Sequence, residues 1–219
     1  MKKNVYSVVL MEDVVNAVDQ LAYQNNTSRS NMINSILAEY CSFQTPQQKI
    51  SDIFEEIEQL MDDAHFKIAN PPTESNLLIK SALSYKYNPS MRYSLTIYER
   101  PKNKLGLLKA GFRTSSATLL SCIHEFFNIW ADFDEKYLPS RIEGELNYEI
   151  ENGKYRRELA LPEYLGEHPE ETLADAISTY VKNLDALMKL YFKNIDQADL
   201  HKMLERTYLT NLRKSEIIL

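Results

Sequence analysis

Four histidines and two cysteines are the side chains of this 219-residue chain best suited to hold a metal or to pair a nucleophile with a base. Their spacing supports neither. His65, His124, His168 and His201 are scattered, and "HEFFN" at His124 lacks the second histidine that would let one helix face grip zinc. Cys41 and Cys122 form no CxxC, so neither a cysteine zinc site nor a disulfide scaffold is expected, and a reducing cytoplasm is the simplest compartment. Cys122 lies two residues before His124, but that adjacency is not a nucleophile–base geometry, and the residue reads as a small apolar one. Neither GxGxxG nor GxxxxGK[ST] occurs, so no glycine-rich loop would cradle a nucleotide. No catalytic set converges: the chain is not expected to be an enzyme, or to carry a metal or cofactor.

Cations are the remaining chemistry. Lys102, Lys104, Lys109 and Arg113 surround one predicted strand, and Lys154, Arg156 and Arg157 sit beside a predicted turn. With Tyr98 and Tyr155 they could face a nucleic acid or an acidic partner, although a solvated strand face is the simpler reading. The formal net charge of −6 argues mildly against nucleic acid, but local charge at a contact surface matters more than the total.

The elements that would position these groups follow from periodicity. "SFQTPQQ", residues 42–48, reads as a linker, and a helix is expected from Gln47 to Ile68 with Ile50, Ile53, Phe54, Ile57, Leu60 and Met61 on one side. "NPPTES" would end it. Alternation through Leu77, Ile79, Ser81, Leu83, Tyr85 and Tyr87, then a turn at "NPSM", then Tyr93, Leu95 and Ile97, predicts a hairpin, and "KLGLLKAGFRT" a third strand. Leu119, Leu120, Ile123, Phe126, Phe127 and Trp130 predict a buried helix over 115–133. Asn152-Gly153 centres a second hairpin, pairing Glu151 with Lys154, Ile150 with Tyr155, Tyr148 with Arg157 and Leu146 with Leu159. A long helix starts near Pro169 and a last one spans about 197–213. No stretch approaches ~18 uninterrupted apolar residues, so no membrane span is expected.

The first forty-five residues change period once. From Lys3 to Leu10 the side chains alternate: Tyr6, Val8 and Leu10 share one face, and Lys3, Val5, Ser7 and Val9 the other. Then Val14, Val15, Val18, Leu21 and Ala22 form a helical stripe, Asn25 and Asn26 suit its C-cap, Ser28 or Ser30 caps a second helix, and Met32, Ile33, Ile36, Leu37 and Tyr40 form its stripe. A lone strand and two short helices bury too little to stand alone, and the strand leaves both edges open. Two copies that pair their strands antiparallel over four helices would solve both problems. The odd faces would then form a two-stranded ribbon of the kind that fits the DNA major groove.

"VYSVVLMEDVVNAVDQLA" followed by "NNTSRSNMINSILAEY" resembles the ribbon-helix-helix (MetJ/Arc/CopG-like) family of DNA-binding proteins, with "SRSNMI" at the second helix's start. The resemblance covers residues 3–42. It implies that Val5, Ser7 and Val9 face base edges, that Ser28, Arg29, Ser30 and Asn31 anchor a phosphate at a helix N-terminus, and that Lys2 and Lys3 reach flanking phosphates. Of the base-facing residues only Ser7 is polar; the two valines can touch a thymine methyl. Through residue 45, Lys2, Lys3 and Arg29 are outnumbered by Glu12, Asp13, Asp19 and Glu39.

The fold class expected is therefore α+β: an N-terminal ribbon-helix-helix module (1–45) forming an intertwined dimer, then an α+β domain (46–219) of antiparallel hairpins and covering helices. The function expected is that of a homodimeric, sequence-specific DNA-binding repressor. Its second domain would sense a ligand, bind a protein partner, or assemble dimers into a higher oligomer along DNA. The alternative is an interaction protein that uses the module only to dimerise.

Overall fold

The computed structural model describes residues 5–62, 65–69, 72–73, 75–85, 89–142 and 144–219. The chain forms two compact units, one up to Lys49 and one from Ile50 onward.

In the first unit, residues 5–11 lie outside any helix or strand and lead into helix α1 (Glu12–Gln24), which is followed by α2 (Arg29–Tyr40). Acidic Glu12 and Asp13 occupy the first turn of α1, where the helix dipole favours them. Asn25 is its C-cap, and Asn26 takes a positive φ of 49°, a conformation that asparagine tolerates better than most residues. The two helices contact each other, but Val18, Ala22 and Ala38 are their only buried apolar side chains.

Helix α3 (Pro46–Leu60) corrects two expectations. The segment read as a linker contains a helix start: Gln48 N–H donates to Thr45 Oγ1 at 3.1 Å, Thr45 N–H donates to Gln48 Oε1 at 2.8 Å, and Pro46 sits at the first helical position. The helix also ends at Leu60 rather than Ile68, because Phe66–Ile68 form a short strand, β1, paired with β2.

The second unit is built on a six-stranded antiparallel sheet of β1, β2 (Asn76–Ala82), β3 (Ser90–Ile97), β4 (Lys104–Phe112), β5 (Tyr148–Glu151) and β6 (Lys154–Ala160), in the spatial order β1-β2-β3-β4-β6-β5. The predicted turn at "NPSM" falls largely outside the described residues, as does Tyr87. β4 bulges between Lys104 and Gly106, and a Cβ at Gly106 would lie 2.1 Å from the Thr96 carbonyl oxygen, so only glycine fits. The Asn152-Gly153 turn has positive φ at both residues. Its hairpin holds the expected pairs Glu151–Lys154, Ile150–Tyr155 and Tyr148–Arg157. The Leu146–Leu159 pairing does not form: β5 starts at Tyr148, and Leu159 pairs with Gly106 of β4 instead.

Alternate strand residues, among them Leu77, Ile79, Tyr93, Leu95, Leu108, Tyr155 and Leu159, point into one core with α3, α4 (Ala117–Tyr137), α5 (Pro169–Lys193) and α6 (Leu200–Lys214). Within that core lies a polar centre. Asp134, fully buried on α4, accepts hydrogen bonds from Tyr180 Oη (2.8 Å), Tyr208 Oη (2.8 Å) and Tyr155 Oη (3.2 Å). The buried Arg157 guanidinium lies 3.4 Å from Asp134 and 4.5 Å from the Tyr180 ring centroid, and donates to the main-chain oxygen of Leu219. Burial alone would lower its pKa; Tyr180, Asp134 and Tyr155 outweigh that and hold it above its ordinary value. No helix among the described residues is long and apolar enough to cross a membrane.

Candidate nucleic-acid interface

The first unit carries most of the residues singled out for DNA. Val5, Ser7 and Val9 lie on the segment before α1, and Val5 and Val9 are 98% and 100% exposed. On the opposite parity Tyr6, Val8 and Leu10 are 80%, 72% and 41% exposed, falling toward the helix. Among the described residues, Val5–Leu10 belong to no strand ladder. Lys2 and Lys3 lie outside the described residues.

At the second helix the cap is Ser28: its Oγ accepts from Asn31 N–H at 3.2 Å, so α2 starts at Arg29 and Ser30 lies inside the first turn. Arg29 is engaged already. Its Nε and Nη2 donate to Asp19 Oδ1 and Oδ2 at 2.6 and 2.5 Å, a two-point grip between α2 and α1. The hydrogen bond from Arg29 holds the Asp19 carboxyl below its usual range, and Asp19 in turn raises Arg29. To hold a phosphate, Arg29 must exchange one anion for another. Both side chains are half exposed, so water and salt can assist that exchange.

The cations of the second unit come together differently from their order in sequence. Antiparallel register places Lys80, Arg92, Gly111 and Lys154 in one cross-strand row, and Leu78, Ser94, Lys109 and Arg156 in the next, all on the sheet face opposite the core. Arg113 follows just beyond β4. Arg157 does not join them. Alternation turns it inward with Tyr155 and Leu159, and Asp134 is its partner there. Lys104 is bound to the Glu145 main-chain oxygen at 2.6 Å and lies 3.8 Å from Glu158, while Lys102 sits exposed in the β3–β4 connection. Of the tyrosines named beside these cations, Tyr98 is exposed and Tyr155 belongs to the core.

The histidines and cysteines stay apart. No group of three or more His, Cys, Asp or Glu side chains could hold a metal ion among the described residues. His201 packs edge-on against Phe133, and His168 lies 3.9 Å from Glu171 at the start of α5. Burial, and then Glu125, push the Cys122 thiol up, so its position does not favour the nucleophilic thiolate. No protein-family model, curated protein or solved structure matches the chain.

Proposed function

We propose that this chain is a homodimeric, sequence-specific DNA-binding protein that represses transcription, reading the major groove with a ribbon made of one Val5–Leu10 segment from each copy. The observation that carries this reading is the exposed apolar segment itself. Its alternating residues, Tyr6, Val8 and Leu10 against Val5, Ser7 and Val9, stand directly before two helices whose apolar residues Val14, Leu21, Ile36 and Leu37 are also exposed. A second copy, paired antiparallel, satisfies the strand's open backbone groups and covers the even face and the helices together. The odd face is then left for the groove.

The test is fluorescence anisotropy of the full chain on DNA from immediately upstream of its own gene, against scrambled DNA at two salt concentrations. Tighter binding to the upstream DNA that weakens as salt rises supports the reading. No binding at low salt, with a dimer seen by light scattering, refutes it.

The Arg29–Asp19 pair favours a second reading, in which the module only dimerises and residues from 46 onward engage a protein. Arg29 is then a helix–helix tie, not a phosphate anchor. The same experiment separates the two readings.

A further inference from the structure

The open face of the sheet holds a depression of about 670 Å³ whose lining includes Arg92, Lys109, Arg113, Lys154 and Arg156. The only carboxylate in the lining is Glu151. Five cations and one anion in a single hollow stand out on a chain whose formal net charge is −6. Among the described residues Arg92, Lys109, Arg113 and Lys154 have no ion-pair partner; Arg156 is held by Glu149 at 3.0 Å. Such a concentration of like charge in one hollow focuses the field there and raises the local concentration of anions.

The hollow's shape comes from one residue. In the row Lys80–Arg92–Gly111–Lys154, Gly111 contributes no side chain, so bare main chain separates Arg92 from Lys154. A Cβ at Gly111 would lie 3.1 Å from Lys154 Cγ and 3.3 Å from the Gly153 carbonyl oxygen, encroaching on that gap. Adjacent strands are about 4.8 Å apart, so Arg92 and Lys154 stand about 10 Å from each other at the backbone, with Lys109 and Arg113 along the strand between them. That span suits two or three linked phosphate groups.

The acidic border limits the ligand's length. Beyond β6 the same face carries Glu149 and Glu151 on β5, and Glu158 follows Arg156 along β6. A long phosphodiester backbone crossing the sheet would meet these carboxylates, whereas a compact anion would not. The lining also offers no exposed aromatic face on which bases could stack, since its one aromatic, Phe112, is buried. A hollow of this volume is within the range of small-molecule sites.

We propose that the open sheet face binds a small molecule bearing two or three linked phosphates, gripped through its phosphates by Arg92, Lys109, Arg113, Lys154 and Arg156 over the bare main chain of Gly111. The site does not depend on the DNA-binding reading. Because the grip is on phosphate, inorganic tripolyphosphate and a nucleoside triphosphate should bind with similar affinity and compete.

The experiment is calorimetric titration of the full chain with sodium tripolyphosphate and separately with ATP, at low and at raised salt. The Arg92→Gln/Lys109→Gln double variant is run beside a Lys202→Gln control, with folding checked by circular dichroism. Both exposed residues can change without touching the core. The expected result is one site per chain, weakened by salt, unchanged in the control, and weakened at least ~10-fold in the double variant through loss of charge-assisted hydrogen bonds. ATP binding without tripolyphosphate binding would show that the base is recognised, and would overturn the phosphate grip. Equal affinity in the double variant, or no binding of either probe at low salt, overturns the site. A random-sequence duplex that loses affinity in the double variant while tripolyphosphate fails to bind would make the face a nucleic-acid surface instead.

Discussion

The two units of this chain treat apolar side chains in opposite ways. From Ile50 onward the large ones close into one core: Phe54, Tyr93, Phe127, Trp130, Tyr155 and Tyr191 are all almost completely buried. Up to Lys49, Tyr6, Val8, Leu10, Val14, Leu21, Ile36 and Leu37 remain exposed, and only three apolar side chains of α1 and α2 are buried. Size explains the contrast. A short piece with one strand and two helices cannot bury most of its own surface, whereas the longer unit can.

The largest effect expected lies in the closed core. Replacing Asp134 with Ala leaves the Arg157 guanidinium and three tyrosine hydroxyls facing one another without their shared acceptor. Removing one partner of a buried ion pair costs about 3–5 kcal/mol, so the urea midpoint of the second unit should fall sharply. A dimer mass that survives this change under native conditions would sharpen the division between the units.

In the first unit, Val8→Asp should weaken self-association about 100-fold or more, because burying an unpaired carboxylate costs roughly 3 kcal/mol or above. Light scattering over a dilution series checks it. Val9→Asp, one residue along and on the outward face, should leave the dimer intact; if it dissociates the dimer as strongly as Val8→Asp, the strand faces are assigned the wrong way round.

A pH titration separates the units in a third way. Tyr148 donates to Glu135 at 2.5 Å, and that hydrogen bond, with burial, pushes its pKa up to about 12; burial also raises Tyr93 and Tyr155 well above the ordinary tyrosine value. Each is raised above its unfolded value. The stability they contribute is therefore complete below pH ~10 and lost as pH rises toward 12 and beyond. The second unit's denaturation midpoint should fall over that window, and tyrosinate absorbance should lag until it unfolds.

The smallest effect concerns Arg29. Asp19→Asn removes its competing anion, so affinity for upstream DNA should rise a few-fold at low salt, whereas Arg29→Ala should weaken it sharply with the dimer unchanged. Anisotropy with both variants would show which reading of the Arg29 pair holds.

Much of the fold was legible because its signals are local. Asn152-Gly153 announces a turn with positive φ at both residues, and Pro169 a helix start. The Thr45-Pro46-Gln47-Gln48 cap is equally local, but its proline and polar composition match a linker as well as a helix start, and the reciprocal Thr45–Gln48 hydrogen bonds decide between them. Strand β1, three residues long, is too short to show a period, so the preceding helical pattern absorbed it. The insertion of β6 between β4 and β5 is a long-range pairing that no local pattern encodes. It is this pairing that brings Lys109 beside Arg156, and so assembles the basic hollow. The fate of Arg157 could have been read: it shares parity with Tyr155 and Leu159, which implies an inward side chain and a buried acid to meet it.

The central claim is that Val5–Leu10 becomes a paired strand only when a second copy is present. Hydrogen exchange by mass spectrometry across a dilution series of the full chain tests it most directly. Amides of the segment should be protected at high concentration and lose protection on dilution, in step with loss of the dimer mass by light scattering. Exchange at the unprotected rate at every concentration, with a dimer present throughout, would contradict it.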